Sequence, residues 1–138
     1  MSRETRWVGA VFVASLVGVQ FGGTVLLAKL TGDPAYGASV LHQDLWRAGH
    51  AHAGQFLLLA LVLLPWIDAA RLSGAGRWYV RIAVSSASIT FPLAFFLGAP
   101  TPEVAEPRPM LMLIWPGAAA LASGLLLLAW GLLRPAPD

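Results

Sequence analysis

Residues 109–133 read PMLMLIWPGAAALASGLLLLAWGLL, 25 consecutive positions without an Asp, Glu, Lys or Arg. An α-helix rises 1.5 Å per residue, so roughly 20 such residues cross the ~30 Å of hydrocarbon in a bilayer. Three more uncharged runs of that size precede it: residues 7–28 (22 positions), 48–67 (20) and 82–102 (21). The expectation is an all-α, integral membrane four-helix bundle. It forms a single transmembrane domain over residues 1–138, with helices at about 7–30, 44–67, 78–98 and 109–133.

Working outward, the four runs take up 88 of the 138 residues, and the charged residues gather at the joints between them. The chain is 57% hydrophobic and only 12% charged, about half the charge of an ordinary soluble domain. A soluble enzyme, a nucleotide-binding unit and a nucleic-acid platform are therefore excluded, and the lipid bilayer is the first expected partner. Without cysteine there is no disulfide framework, C-x-x-C redox pair or thiolate metal site. The first run follows Arg3 and Arg6 as a secretory signal would, but it is longer than a 7–15-residue h-region and no A-x-A-like site follows, so it reads as a retained span.

Lys and Arg set the expected orientation. The N-terminal segment, the second joint and the C-terminal segment hold Arg3, Arg6, Arg71, Arg77, Arg81 and Arg134, against Lys29, Arg47 and Arg108 on the other side. Six against three puts both termini in the cytoplasm. Trp7, Trp66, Trp78, Tyr79 and Trp130 then mark the inner interface, and Tyr36 and Trp46 the outer one. Residues 39–46 read as an amphipathic lead-in to the second span. The third joint, with Pro100, Pro102, Pro107 and Pro109, reads as a stiff irregular loop.

Gly117, Gly124 and Gly131 recur every seven residues, a stripe that lets a neighbouring backbone approach, and Gly18, Gly22 and Gly23 offer the same on the first span. The third span carries Ser85, Ser86, Ser88 and Thr90 ahead of Pro92, a face suited either to interhelical hydrogen bonds or to a polar conduit.

The chemistry-bearing stretch is Arg47-Ala48-Gly49-His50-Ala51-His52-Ala53-Gly54. All three histidines, His42, His50 and His52, lie within eleven residues at the expected outer mouth of the second span, where ionisable groups point to function. At 100° per residue, His50 and His52 point about 200° apart, unlike the i, i+4 pair of H-E-x-x-H. A shared site therefore needs an irregular turn near Gly49.

Met110 and Met112 fall on the same side, with Glu103 and Glu106 in the loop before them. Histidine with thioether suits copper, and histidine with carboxylate suits zinc. Haem held by two histidines from different helices of one chain is excluded, which leaves axial His with Met or a dimer giving one histidine per chain. The candidate metal ligands are thus His42, His50, His52, Met110 and Met112. The candidate cofactor-binding residues are Arg47, His50 and His52. Arg47 is three residues from both Asp44 and His50, placed to form an ion pair, to anchor at the interface or to orient an anionic group.

The Asp44-to-Gly54 segment with its leucine-rich continuation resembles small bacterial four-helix membrane proteins that share an R-A-G-H-A-H-A-G segment. That resemblance implies the helix count and a bacterial cytoplasmic-membrane location, and it points to Arg47, His50 and His52 without supplying a mechanism. The H-x-H element is also similar, more weakly, to helix starts of haem-copper oxidase-type subunits. Those subunits spread their histidines over several helices, whereas this chain holds all of its own in one stretch.

Three functions follow as expectations. The first is metal or haem binding at the histidines. The second is an accessory subunit that packs through its glycine stripes as a homo-oligomer or within a larger membrane complex, and the third is a small transporter or proton-linked permease.

Overall fold

The computed structural model of the chain describes residues 1–101 and 105–135. Its elements are all helical: α1 (Arg3–Gly32), α2 (Pro34–Gly37), α3 (Val40–Ala69), α4 (Gly74–Gly98), a 3-10 turn (Pro109–Leu113) and α5 (Ile114–Leu133). Four of these, counting the 3-10 turn with α5, are long and apolar enough to cross a membrane. The expected runs are all present, but the helices reach further than the uncharged positions do. Helix propagation stops at a cap, not at the edge of the hydrocarbon, and Ser2, Ser39 and Ser73 each accept a hydrogen bond from the backbone N–H three residues on. α1 thus starts at Arg3, α3 at Val40 and α4 at Gly74.

An even number of long helices brings the ends of the described chain together. Arg71 and Arg134 exchange side-chain to backbone hydrogen bonds, and the Arg71 amide donates to the Gly131 carbonyl at 2.9 Å. This is the terminal end of the bundle, and the joints at residues 33–39 and 99–108 form the loop end. α3 and α4 are the central pair. α1 lies along α3, and α5 lies along α4 with a narrow contact to α3.

The glycine stripe on α5 is spent inside the chain. A Cβ at Gly124 would lie 2.9 Å from the Ala83 Cβ, one at Gly117 would meet Thr90 and Phe91, and one at Gly131 would meet Leu72. Those three positions let α5 close against α4 and the α3–α4 turn, so this stripe is not an outward docking surface. The best-buried apolar cluster, with Leu64, Ile67, Val80, Val84 and Leu128, sits in the terminal half.

The polar face of α4 also turns inward on itself. The hydroxyls of Ser86, Ser88 and Thr90 donate to the carbonyls of Ala83, Ser85 and Ser86 within their own helix. These bonds cross to no other helix, because a hydroxyl one turn beyond a helix carbonyl finds it before any neighbour does.

A charged knot ties α1 to the central pair. Arg81 on α4 has a side chain only 4% exposed, and its Nη2 donates to Asp68 Oδ1 at 2.7 Å and to Thr5 Oγ1 at 3.0 Å. Asp68 also accepts from the Ser2 amide (2.6 Å), the Ser2 hydroxyl (2.9 Å) and the Thr5 hydroxyl (2.9 Å). Thr5 is the only fully buried residue of α1. Arg81, counted in the sequence among the joint charges that set orientation, is thus an internal group.

Candidate functional site at the loop end

The site is assembled by a change of direction after α1. Asp33 accepts from the amides of Ala35 (3.0 Å) and Tyr36 (3.1 Å), and with Pro34 at the first helical position it starts the single turn of α2. The Lys29 ammonium reaches Asp33 Oδ2 at 3.2 Å. The Tyr36 amide first, and then Lys29, hold the Asp33 carboxyl below its usual range.

That turn carries the Tyr36 ring inward, to 3% exposure. Ser39 then restarts the chain as α3, whose i, i+4 spacing puts His42 and Trp46 on one face. Their rings stack at 5.2 Å, Tyr36 meets His42 edge-on at 5.4 Å, and Trp46 meets Phe96 of α4 at 5.5 Å. Lys29 Nζ lies 5.1 Å from the Trp46 ring centre, within cation–π range.

His42 Nδ1 sits 2.7 Å from the Pro100 carbonyl. A carbonyl can only accept, so Nδ1 carries the hydrogen and Nε2 of the neutral ring is left with a lone pair. The Trp46 indole N–H is buried and has no partner among the described residues. Between these groups lies a recess of about 530 Å3, bordered by Lys29, Asp33, Tyr36, Ser39, His42 and Trp46, with Thr101 and Ala105 across from them. It falls within the ~300–1,000 Å3 of ordinary small-molecule sites.

The other two histidines do not join His42. α3 runs unbroken through Gly49, without the irregular turn that a shared histidine site needs. Gly49 serves packing instead, since a Cβ there would lie 2.9 Å from Phe96 Cε1. His50 turns towards α1 against Gly22 and Gly23, where added Cβ atoms would lie 3.4 and 3.2 Å from its ring nitrogens. No hydrogen bond reaches its ring among the described residues, and it stands four residues, roughly 6 Å, further along α3 than Trp46. His52 turns the other way. Its Nδ1 donates to the Ala48 carbonyl at 2.7 Å, and its ring lies among Phe56, Phe91 and Phe95, stacked on Phe91 at 2°.

The structure does not bring the candidate ligands His42, His50, His52, Met110 and Met112 together. Three imidazoles on an unbroken helix face three different neighbours, and no cluster of three or more His, Cys, Asp or Glu suited to a metal occurs among the described residues. Met110 and Met112 are 42% and 67% exposed on the 3-10 turn, which packs on the end of α4 at Gly98, while His50 faces α1. Glu106 is exposed, and Glu103 lies outside the described residues. Arg47 forms an exposed ion pair with Asp44 at 2.8 Å and bonds the Gln43 carbonyl, so of its expected roles the ion pair is the one the structure shows.

Of the sequence candidates only His42 borders the recess. Lys29, Asp33, Tyr36 and Trp46 were missed because Tyr36 and Trp46 read as interface markers. The Asp33-Pro34-x-Tyr36 cap was the available signal. No known protein family, curated protein or solved structure matches the chain.

Proposed function

We propose that the chain is a four-span protein of a bacterial cytoplasmic membrane, both termini in the cytoplasm, that binds a small organic molecule from the opposite aqueous side. The excess of Lys and Arg at the terminal end supports the orientation. The binding reading rests on the recess, where an aromatic wall converges with a free imidazole nitrogen and a Lys29–Asp33 pair. Such walls favour a ligand with a flat ring, and His42 Nε2 favours one with a hydrogen-bond donor on it. His42 recognises, and Tyr36 and Trp46 supply the apolar wall against which the ligand packs, which makes this a binding site with no assigned reaction.

The test is ligand-detected NMR with a panel of small aromatic amines and acids on protein in nanodiscs, comparing wild type with His42→Ala, Trp46→Phe and His50→Ala. Hits that vanish in the first two variants and persist in His50→Ala bear the reading out. An empty screen, or hits indifferent to His42, refutes it.

A second reading, an accessory subunit of a larger membrane complex, is favoured by α1. Thr5 is its only buried residue, and Val13, Val17 and Phe21 are 59%, 72% and 69% exposed along it. Co-purification of a partner that is lost when Val17 is changed to a bulky polar residue would support that reading.

A further inference from the structure

The face of the α1–α3 pair turned away from α4 carries two glutamines. α3 meets α1 through His50 and Gly54, and it meets α4 through Gly49, whose Cβ would touch Phe96, and through His52 among Phe91 and Phe95. At 100° per residue, Gly49 lies about 100° round α3 from His50 in one direction and Gln55 about 140° in the other, which puts Gln55 on the open side. On α1, a cleft of about 250 Å3 beside His50 is lined by Gln20, Thr24 and Leu27, whereas the cleft across His50 is lined by Gly22, Val25 and Leu26 with Phe96 of α4. Gln20 therefore shares the open side with Gln55. Val13, Leu58 and Val62 around them are each more than half exposed.

We propose that this face pairs with the same face of a second copy across a two-fold axis parallel to the bilayer normal, with Gln20 of each protomer bonded to the partner's Gln55. The proposal rests on the four-span membrane reading and not on the loop-end recess.

Three observations carry it. First, both carboxamides lie deep. Within the uncharged runs 7–28 and 48–67, Gln20 and Gln55 each stand about 4 Å along the helix from the centre of the run. The edge of the hydrocarbon is then roughly 11 Å away, out of reach of so short a side chain. Second, both are exposed and neither makes a hydrogen bond among the described residues. The exposed hydroxyls of the same span are satisfied within α1, Ser15 donating to the Val11 carbonyl at 2.8 Å and Thr24 to the Phe21 carbonyl at 2.7 Å. A lipid tail offers a carboxamide neither donor nor acceptor, so these two groups call for a protein partner. Third, they are level. Gly9 packs on Leu64, Gly54 on Val19, and Gly22 and Gly23 on His50. That antiparallel register sets Gln20 beside Ala53 and leaves Gln55 two positions, about 3 Å, along the axis from it.

The shared depth selects the occupant. A carboxamide carries both donors and an acceptor, so two of them bond head to head. A two-fold axis along the bilayer normal returns every residue to its own depth, so two different residues meet across it only when their depths agree, as those of Gln20 and Gln55 do. The contact is then reciprocal, each Gln20 meeting the partner's Gln55, and all four carboxamides of the dimer are paired. At the loop-end edge of the face, Asp44 and Arg47 neutralise each other within one chain, so two copies approach there without a net charge.

Förster transfer between full-length copies labelled at Gly37→Cys, an exposed loop-end position in a chain without other cysteines, measures association in phosphatidylcholine vesicles as the protein-to-lipid ratio is varied. The wild type is expected to dimerise. Gln20→Leu and Gln55→Leu each remove both reciprocal contacts, so each weakens dimerisation by about tenfold, and the double variant is no weaker than either single one. Mixing the two single variants restores one contact, Gln20 of one protomer with the partner's Gln55, so the mixed pair associates more tightly than either variant alone. That recovery also shows that both variants fold, and circular dichroism checks their helix content. A wild type that stays monomeric, a dimer unmoved by either substitution, a double variant much weaker than the singles, or a mixture no tighter than its components each overturns the proposal. Protein that does not float with the vesicles on a density gradient overturns the membrane reading and the proposal with it, whereas inserted monomers overturn the proposal alone.

Discussion

Replacing Asp68 by alanine leaves the Arg81 guanidinium in place, 4% exposed, with only the Ser2 and Thr5 hydroxyls as acceptors. At 2.7 Å, Coulomb's law with an effective dielectric of about 20 gives the lost pair a gross attraction of roughly 6 kcal/mol. Asp68 is 18% exposed, so water recovers part of that attraction, and the two hydroxyls recover more. A net loss of about 3 kcal/mol remains, the lower end of what breaking a buried pair costs. The cost belongs to the stranded charge more than to the bond, so the double variant Asp68→Ala/Arg81→Met should return to within about 1 kcal/mol of wild type. Reversible unfolding in mixed detergent–SDS micelles, followed by far-ultraviolet circular dichroism, measures both values. An Asp68→Ala loss below about 1 kcal/mol, or a double variant less stable than Asp68→Ala, would refute the view of Arg81 as a buried internal group.

Two glycines and the loop end give three further expectations. Gly124→Ala puts a Cβ 2.9 Å from that of Ala83 and should destabilise by about 1–2 kcal/mol, since overpacking outweighs the better helix propensity of alanine. Gly18→Ala meets nothing within 4 Å and should be neutral or stabilise by up to about 1 kcal/mol in the same assay. Asp33, whose carboxyl is held low by the Tyr36 amide and by Lys29, contributes order that is fully present above the unfolded carboxylate value near ~3.9 and is lost as pH falls through its lower folded value. Chemical shifts of the Tyr36 amide should therefore move only at acidic pH, and Asp33→Asn should flatten that profile. A Tyr36 transition near neutral pH, or one that survives Asp33→Asn, would refute the assignment.

The helices were legible because a long uncharged run has few ways to satisfy its backbone other than as a helix. Their ends were less so, since charge pattern locates hydrocarbon whereas Ser2, Ser39 and Ser73 set where the backbone leaves the helix. The 200° angle between His50 and His52 was also readable, and α3 keeps it by running straight through Gly49. What one chain of letters hides is which partner each face meets. Gly49 is a seat for Phe96, and Arg81, one of the joint charges in the sequence, is covered by Ser2 and Thr5 from more than seventy positions away.

The two ends of the molecule are held by different physics, and this bears on where binding occurs. The apolar cluster of Leu64, Ile67, Val80, Val84 and Leu128 and the Arg81–Asp68 knot both lie in the terminal half. α1 is clamped there at Thr5, and at its other end it is held through the one turn of α2 and the contact of Lys29 with the Trp46 ring. Between these points it touches α3 along a thin strip, with Gly22 and Gly23 making room for His50. Local opening follows contact density, so the loop end rearranges at lower cost than the terminal end. A recess walled by Tyr36, His42 and Trp46 in the softer half can close on a ligand without disturbing the core. A His42 variant should therefore alter the recess and leave the terminal-half core and its Arg81–Asp68 pair intact.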